Sequence, residues 1–231
     1  MRRAVLAAAL AALLTPPALA QPQATAPAAQ QPVQGAANAE NGRRIVQNGT
    51  DAGAPPCSQC HGANGLGNAE QGIPRLDGQS GYYLFKQLED YASGARGNDV
   101  MTAVAQALTD AERQDTAAFY AALRVDPPPA PGIDAATARK GRMIVEAGIA
   151  GRGVQGCANC HGPDGMGLAP AAPRLAGQFA GYARAQFQAF HDGTRKNDTA
   201  AVMRDLSHRL PQPEMEAVTA YLEALRPAAQ D

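Results

Sequence analysis

Two pentapeptides use all four cysteines of the chain: Cys57-Ser58-Gln59-Cys60-His61 and Cys157-Ala158-Asn159-Cys160-His161. Cys-x-x-Cys-His is the spacing that attaches a c-type haem. Two thiols about one helical turn apart add across the two vinyl groups of one porphyrin, and the histidine that follows lies under the ring, where it binds iron. The expected cofactors are two covalently bound haem c groups. Cys57, Cys60, Cys157 and Cys160 are the attachment points, and His61 and His161 are the first axial ligands. A zinc site, two disulfides or a redox-active dithiol would use the same thiols. None of these gives a reason for a histidine after both pairs, and no strand-helix context for a thioredoxin-like site is visible.

A haem iron with one histidine takes a second axial ligand or stays open and reactive. The spare histidines, His191 and His208, both fall in the second half of the chain and have no counterpart in the first, so they are expected at the surface. Methionine does recur at matched positions. Met101 lies 40 residues after His61, and Met203 lies 42 after His161. Both are expected in loops ahead of a last helix, from which a thioether swings over the far face of the ring. Met143, Met166 and Met215 have no methionine counterpart and read as fillers. Met101 and Met203 are therefore the expected sixth ligands.

Positioning these groups falls to a duplicated fold. Gly42-Arg43-Arg44-Ile45-Val46 matches Gly141-Arg142-Met143-Ile144-Val145, and the haem motifs follow 15 and 16 residues after each glycine. Pro74–Gln79 matches Pro173–Gln178, Asn98-Asp99 matches Asn197-Asp198, and Val100-Met101 matches Val202-Met203. Two extra residues, Thr199 and Ala200, precede the second methionine segment. A period near 100 residues is too long for a solenoid and indicates two copies of one domain.

Each copy reads as helix, haem loop, helix, methionine loop, helix. First helices are expected over 38–48 and 135–147. Middle helices are expected over 80–94, with Leu84, Leu88 and Tyr91 at helical spacing, and over 179–192, with Tyr182, Phe187 and Phe190. Thr109-Asp110-Ala111-Glu112 is a capping box that opens one last helix. Pro213 sits near the first turn of the other, which carries Val218, Tyr221, Leu222 and Leu225 on one face. There is no strand alternation, so the fold class is all-α. Pro74 and Pro173 either form the rigid turn whose carbonyl orients the axial histidine or are ordinary loop prolines. Arg75 and Arg174 either pair with haem propionates or are solvated.

Residues 1–20 read as a cleavable signal. Arg2 and Arg3 precede a short apolar run, and Ala18-Leu19-Ala20 is a small-x-small cleavage site. The expected location is the periplasm. Residues 21–37 are mostly Gln, Pro and Ala with no charge, a disordered tether. The first domain is placed at 38–126 and the second at 134–226. Residues 127–133 form a Pro-rich linker; with Asp126 the run reaches about 25 Å in polyproline form. Without the signal the chain holds 18 Lys+Arg against 21 Asp+Glu, a net of −3. The halves differ, with net −4 over 38–126 and net +2 over 134–226. No basic cluster with interleaved aromatics argues for nucleic acid.

These motifs resemble the class I c-type cytochromes, and the two-domain arrangement resembles the cytochrome c4 family of dihaem electron carriers. The likeness spans nearly all of 38–226. It rests on Pro74–Gln79, the middle helix, and the runs Gly94-Ala95-Arg96-Gly97-Asn98-Asp99 and Gly193-Thr194-Arg195-Lys196-Asn197-Asp198. It implies two tandem cytochrome c-like domains, one His/Met haem in each, haems facing across the domain junction, and electron delivery to a terminal oxidase. The partners expected are a respiratory donor complex and a terminal oxidase or reductase, with peripheral membrane association left open. The leading function is a non-enzymatic carrier of one electron per haem. The alternatives are a cytochrome subunit of a membrane dehydrogenase or oxidase complex, and a dihaem enzyme such as a peroxidase or a thiosulfate dehydrogenase. The enzyme would need an open or displaceable iron site, and the two halves are too alike for that division of labour.

Overall fold

A computed structural model describes residues 37–124 and 129–226. The expected signal and nearly all of the tether lie outside the described residues, as do Asp126 and the first two residues of the expected linker. Among the described residues there are ten α-helices, two short 3-10 turns and no strand beyond isolated bridges. None of these helices is long and apolar enough to cross a membrane.

The first half contains α1 (Ala39–Asn48), α2 (Ser58–His61), α3 (Gly81–Ala92), α4 (Asp99–Gln106) and α5 (Asp110–Ala122). The second repeats the series as α6 (Ala135–Ala147), α7 (Ala158–His161), α8 (Ala180–His191), α9 (Val202–Arg209) and α10 (Gln212–Ala224). The expected helices stand, with ends shifted by one or two residues. Asn38 and Asp134 start α1 and α6 by accepting backbone N–H groups of the first turn. The Thr109–Glu112 capping box is formed, and Pro213 sits in the first turn of α10.

The α1–α5 and α6–α10 crossings are set by glycine. A Cβ on Gly42 would lie 2.0 Å from the Asp115 carbonyl oxygen, and one on Gly141 would lie 2.3 Å from that of Ala217. Only a bare backbone permits so close a crossing. Ile45, Val46, Ile144 and Val145 are buried beside these contacts. The cores stay separate. Val46, Leu84, Ala117 and Tyr120 cluster in the first half, and Ile144, Val145, Phe187, Val218 and Leu222 belong to the cluster of the second.

Two expectations are corrected. Met101 and Met203 lie in helices, α4 and α9, not in loops. Asn98 makes α4 possible, since its Oδ1 accepts the Met101 N–H at 2.8 Å. The insertion before Val202 is three residues, the 3-10 turn Thr199–Ala201, rather than two. The net difference of two arises because the second haem loop is a residue shorter, with 12 residues from His161 to Pro173 against 13 from His61 to Pro74.

The halves meet through polar side chains related by a pseudo-two-fold. Gln178 Oε1 accepts the Arg75 N–H at 3.1 Å, and its Nε2 donates to the Arg75 carbonyl at 3.0 Å. Gln79 does the same to Arg174, at 2.8 and 3.0 Å. Deeper in the junction, Arg96 and Arg195 pair as an isolated antiparallel bridge. Arg96 donates to Gln87, Tyr182 and Gln186. Arg195 donates to Gln186, Tyr83 and Gln87. Each guanidinium also lies over an aromatic ring of its own half, Tyr91 at 4.6 Å and Phe190 at 4.5 Å. Such stacking suits a planar, delocalised cation better than an ammonium.

Candidate haem sites

Each Cys-x-x-Cys-His motif folds as a single helical turn, with Cys57 or Cys157 as the residue that begins it. The turn brings the two thiols to one side and leaves the histidine at its inner end. Cys57 and Cys157 are half-buried, whereas Cys60 and Cys160 are exposed. All four thiols are unpaired, and among the described residues no three His, Cys, Asp or Glu side chains converge as a metal cluster. Burial pushes the Cys57 and Cys157 thiols up to about 11. They are therefore neutral at ordinary pH.

His61 and His161 are 8% and 9% exposed. The Nδ1 of His61 lies 3.1 Å from the Pro74 carbonyl oxygen, and that of His161 lies 2.8 Å from the Pro173 carbonyl oxygen. A carbonyl only accepts, so Nδ1 donates and Nε2 keeps the free lone pair. Burial lowers both imidazole pKa values, and the proline carbonyls oppose the shift. The result is a neutral ring held in one tautomer, the form that binds a metal through Nε2. The structure thus favours the orienting-turn reading of Pro74 and Pro173 over the ordinary-loop reading.

The methionines are half-buried on α4 and α9. Met203 packs against the second-half core with Cys157 and Leu175. Met143 is 59% exposed and Met215 is a core residue. His191 and His208 are at the surface, as expected, with their ring centres 4.7 Å apart and the rings tilted 48° to each other.

Arg75 is neither solvated nor wholly free for a propionate. It is buried, and its Nε and Nη2 grip Asp77 at 3.0 and 2.8 Å. Its Nη1 is buried and has no protein partner, like the hydroxyls of Tyr120 and Thr116. Arg174 is half-buried and donates to the Ala176 and Asp77 carbonyls. A haem c fits both sites, with two thiols on one turn and a neutral Nε2 behind them, and the first site adds buried donors in want of acceptors.

The buried junction was missing from the sequence reading. Tyr83, Gln87 and Arg96 recur as Tyr182, Gln186 and Arg195 at a constant offset of 99 residues. That constancy over polar side chains was the available signal.

Comparison with known proteins agrees with this geometry. The Cytochrome c family profile matches residues 39–123 and 139–226. A thiosulfate dehydrogenase electron acceptor of Stutzerimonas stutzeri (strain A1501) is 39% identical over 80% of this chain and 86% of its own. The structure of reduced cytochrome c4 from Pseudomonas stutzeri superposes with a TM-score of 0.74 at 31% identity, covering 83% of this chain and 100% of that one. Thiosulfate dehydrogenase TsdBA from Marichromatium purpuratum superposes with a TM-score of 0.75 at 34% identity over 83% of this chain, which spans 41% of that longer polypeptide. The chain therefore belongs to the cytochrome c family, as a dihaem electron carrier of the cytochrome c4 group with two covalently bound haem c groups.

Proposed function

We propose that the protein is a periplasmic carrier that passes single electrons through two His/Met-ligated haems toward a terminal oxidase, and that it is not itself an enzyme. Cys57 and Cys60 would hold the first haem, with His61 and Met101 ligating its iron. Cys157, Cys160, His161 and Met203 would do the same for the second. The observation that carries this reading is the duplicated site: the same helical turn and the same histidine-to-proline-carbonyl bond occur in both halves. Each haem supplies one-electron exchange at iron; the protein holds the ring, excludes water and fixes the histidine tautomer. A neutral thioether ligand and buried surroundings favour the ferrous state. The residues at 1–20 direct export, and the linker joins domains at 38–126 and 134–226.

The relative named as a thiosulfate dehydrogenase electron acceptor supports a thiosulfate-oxidising enzyme as the donor. The opposite net charges of the halves support a molecule that turns one end to the donor and the other to the acceptor.

The test is carbon monoxide added to the dithionite-reduced protein. An unchanged absorption spectrum is expected, because both irons carry a strong sixth ligand. A shift at either haem would overturn the pure carrier reading and direct attention to peroxide turnover.

A further inference from the structure

Tyr120 is 2% exposed, and its hydroxyl has no hydrogen-bond partner in the protein. A buried hydroxyl rarely stays unpaired, because its desolvation is costly. The ring lies against the haem loop: a Cβ on Gly65 would come 2.8 Å from its Cδ1. Cys57 packs on the same cluster of side chains. Burial raises the phenol pKa, so the hydroxyl keeps its proton.

The repeat shows what this position does elsewhere. The Gly78 N–H donates to the Tyr120 carbonyl at 2.9 Å, and the Gly177 N–H donates to the Leu222 carbonyl at 2.9 Å. Leu123 and Leu225 repeat the next contact, each at 3.3 Å. Leu222 is thus the counterpart of Tyr120, and it is a buried core residue. One turn earlier on α5, Thr116 is another buried hydroxyl without a partner, and the same register places Val218 opposite it in α10. At these two positions α5 carries hydroxyls and α10 carries hydrocarbon.

We infer that Tyr120 sets the potential of the first haem: its hydroxyl donates to an acceptor of the cofactor at Cys57, and so makes the two haems electronically unlike. This rests on the reading that Cys57 holds a haem. A donated O–H turns the positive end of its dipole toward the ring. That favours the less positive ferrous state, so the hydroxyl raises the first haem's electron affinity above what leucine would allow. The second haem, against Leu222, has no such donor from this position.

The test is Tyr120→Phe in the full-length holoprotein, which keeps the ring and removes the hydroxyl. A pyridine haemochrome assay confirms two haems per chain. A redox titration is then followed by NMR, with the first haem's methyl signals assigned by contact with the ring at 120. The first haem's electron affinity is expected to fall at least threefold, or about 28 mV at 59 mV per tenfold for one electron. The second haem's is expected to hold. No shift, or an equal shift at both haems, would overturn the inference. Thermal unfolding of both proteins checks that the change is not a general loosening. If unmodified protein carries fewer than two haems or binds carbon monoxide, the carrier reading fails instead, which separates the two failures.

Discussion

Asn98 and Asn197 hold matching places in the repeat, yet their side chains go to different structures. Asn98 caps α4 by accepting the Met101 N–H. Asn197 accepts from Arg195 at 3.0 Å and donates to Gln87 at 2.9 Å and to Asp90 at 2.6 Å, at the junction of the halves. With that asparagine committed elsewhere, the second half starts its methionine helix by another route. The turn Thr199–Ala201 intervenes, and Asp198 reaches over it to accept the Arg204 N–H at 3.0 Å and its Nε at 2.8 Å. The two methionines are therefore delivered by different local devices.

That second device is strained. Ala200 and Ala201 adopt φ of 52° and 58°, the left-handed region. For a residue with a Cβ this costs about 1–2 kcal/mol. Ala200→Gly and Ala201→Gly should each stabilise the holoprotein, by roughly 1 kcal/mol after the extra backbone entropy of glycine is subtracted. Denaturant midpoints measure it. A lower midpoint for both variants would show that the turn is not strained.

The Asp198 contact carries a pH signature. Burial pushes its carboxyl up, but the Arg204 backbone N–H and guanidinium together outweigh this and hold it below the usual range. A folded value below the unfolded one means stability that is fully present above about pH 4 and lost as the pH falls through the depressed value. Asp198→Asn should be less stable than the parent at pH 7, and the gap should close as the solution is acidified. Unfolding midpoints across that range decide it. A gap independent of pH would mean that the contact is not ionic.

The haem turns and helices were legible because they depend on local pattern: cysteine spacing, caps such as Thr109, and apolar periodicity. The junction was not, because its partners lie about 100 residues apart in the chain. Gln87 and Arg96 look like solvated polar residues until each finds the other half. Leu88 fits the apolar stripe of α3, yet Gln87 is the buried neighbour, since this face of the helix meets guanidinium groups rather than hydrocarbon. The methionine helices escaped for another reason. Asp99–Gln106 is only eight residues long, about two turns, too short for apolar spacing to mark it, and a cap at Asn98 settles it.

Gln87 therefore has a measurable task. Its Oε1 accepts from Arg96 at 2.8 Å, Arg195 at 3.0 Å and Asn197 at 2.9 Å. Gln87→Leu keeps the volume but leaves buried cationic donors short of an acceptor. The expected loss is about 3 kcal/mol. Gln186→Leu removes two donor contacts rather than three and should cost less. Calorimetry of the Gln87 variant should also separate one cooperative transition into two, because the junction couples otherwise separate cores. A single unshifted transition would remove the junction from any role in stability.

Gly42 and Gly141 test the crossings that frame each haem site. The obstacle to a Cβ at either place is backbone, the Asp115 carbonyl or the Ala217 carbonyl, and backbone cannot swing aside as a side chain can. In an open helix, alanine would gain about 1 kcal/mol over glycine. Here the forced separation of two helices costs about 1–3 kcal/mol or more, so overpacking wins. Gly42→Ala and Gly141→Ala should each lower stability by roughly 1 kcal/mol or more, and because the two crossings belong to separate cores the double variant should show their sum. Denaturant unfolding of the three proteins measures both points. Stabilisation by either alanine would mean that the helices do not approach as closely as the structure has them.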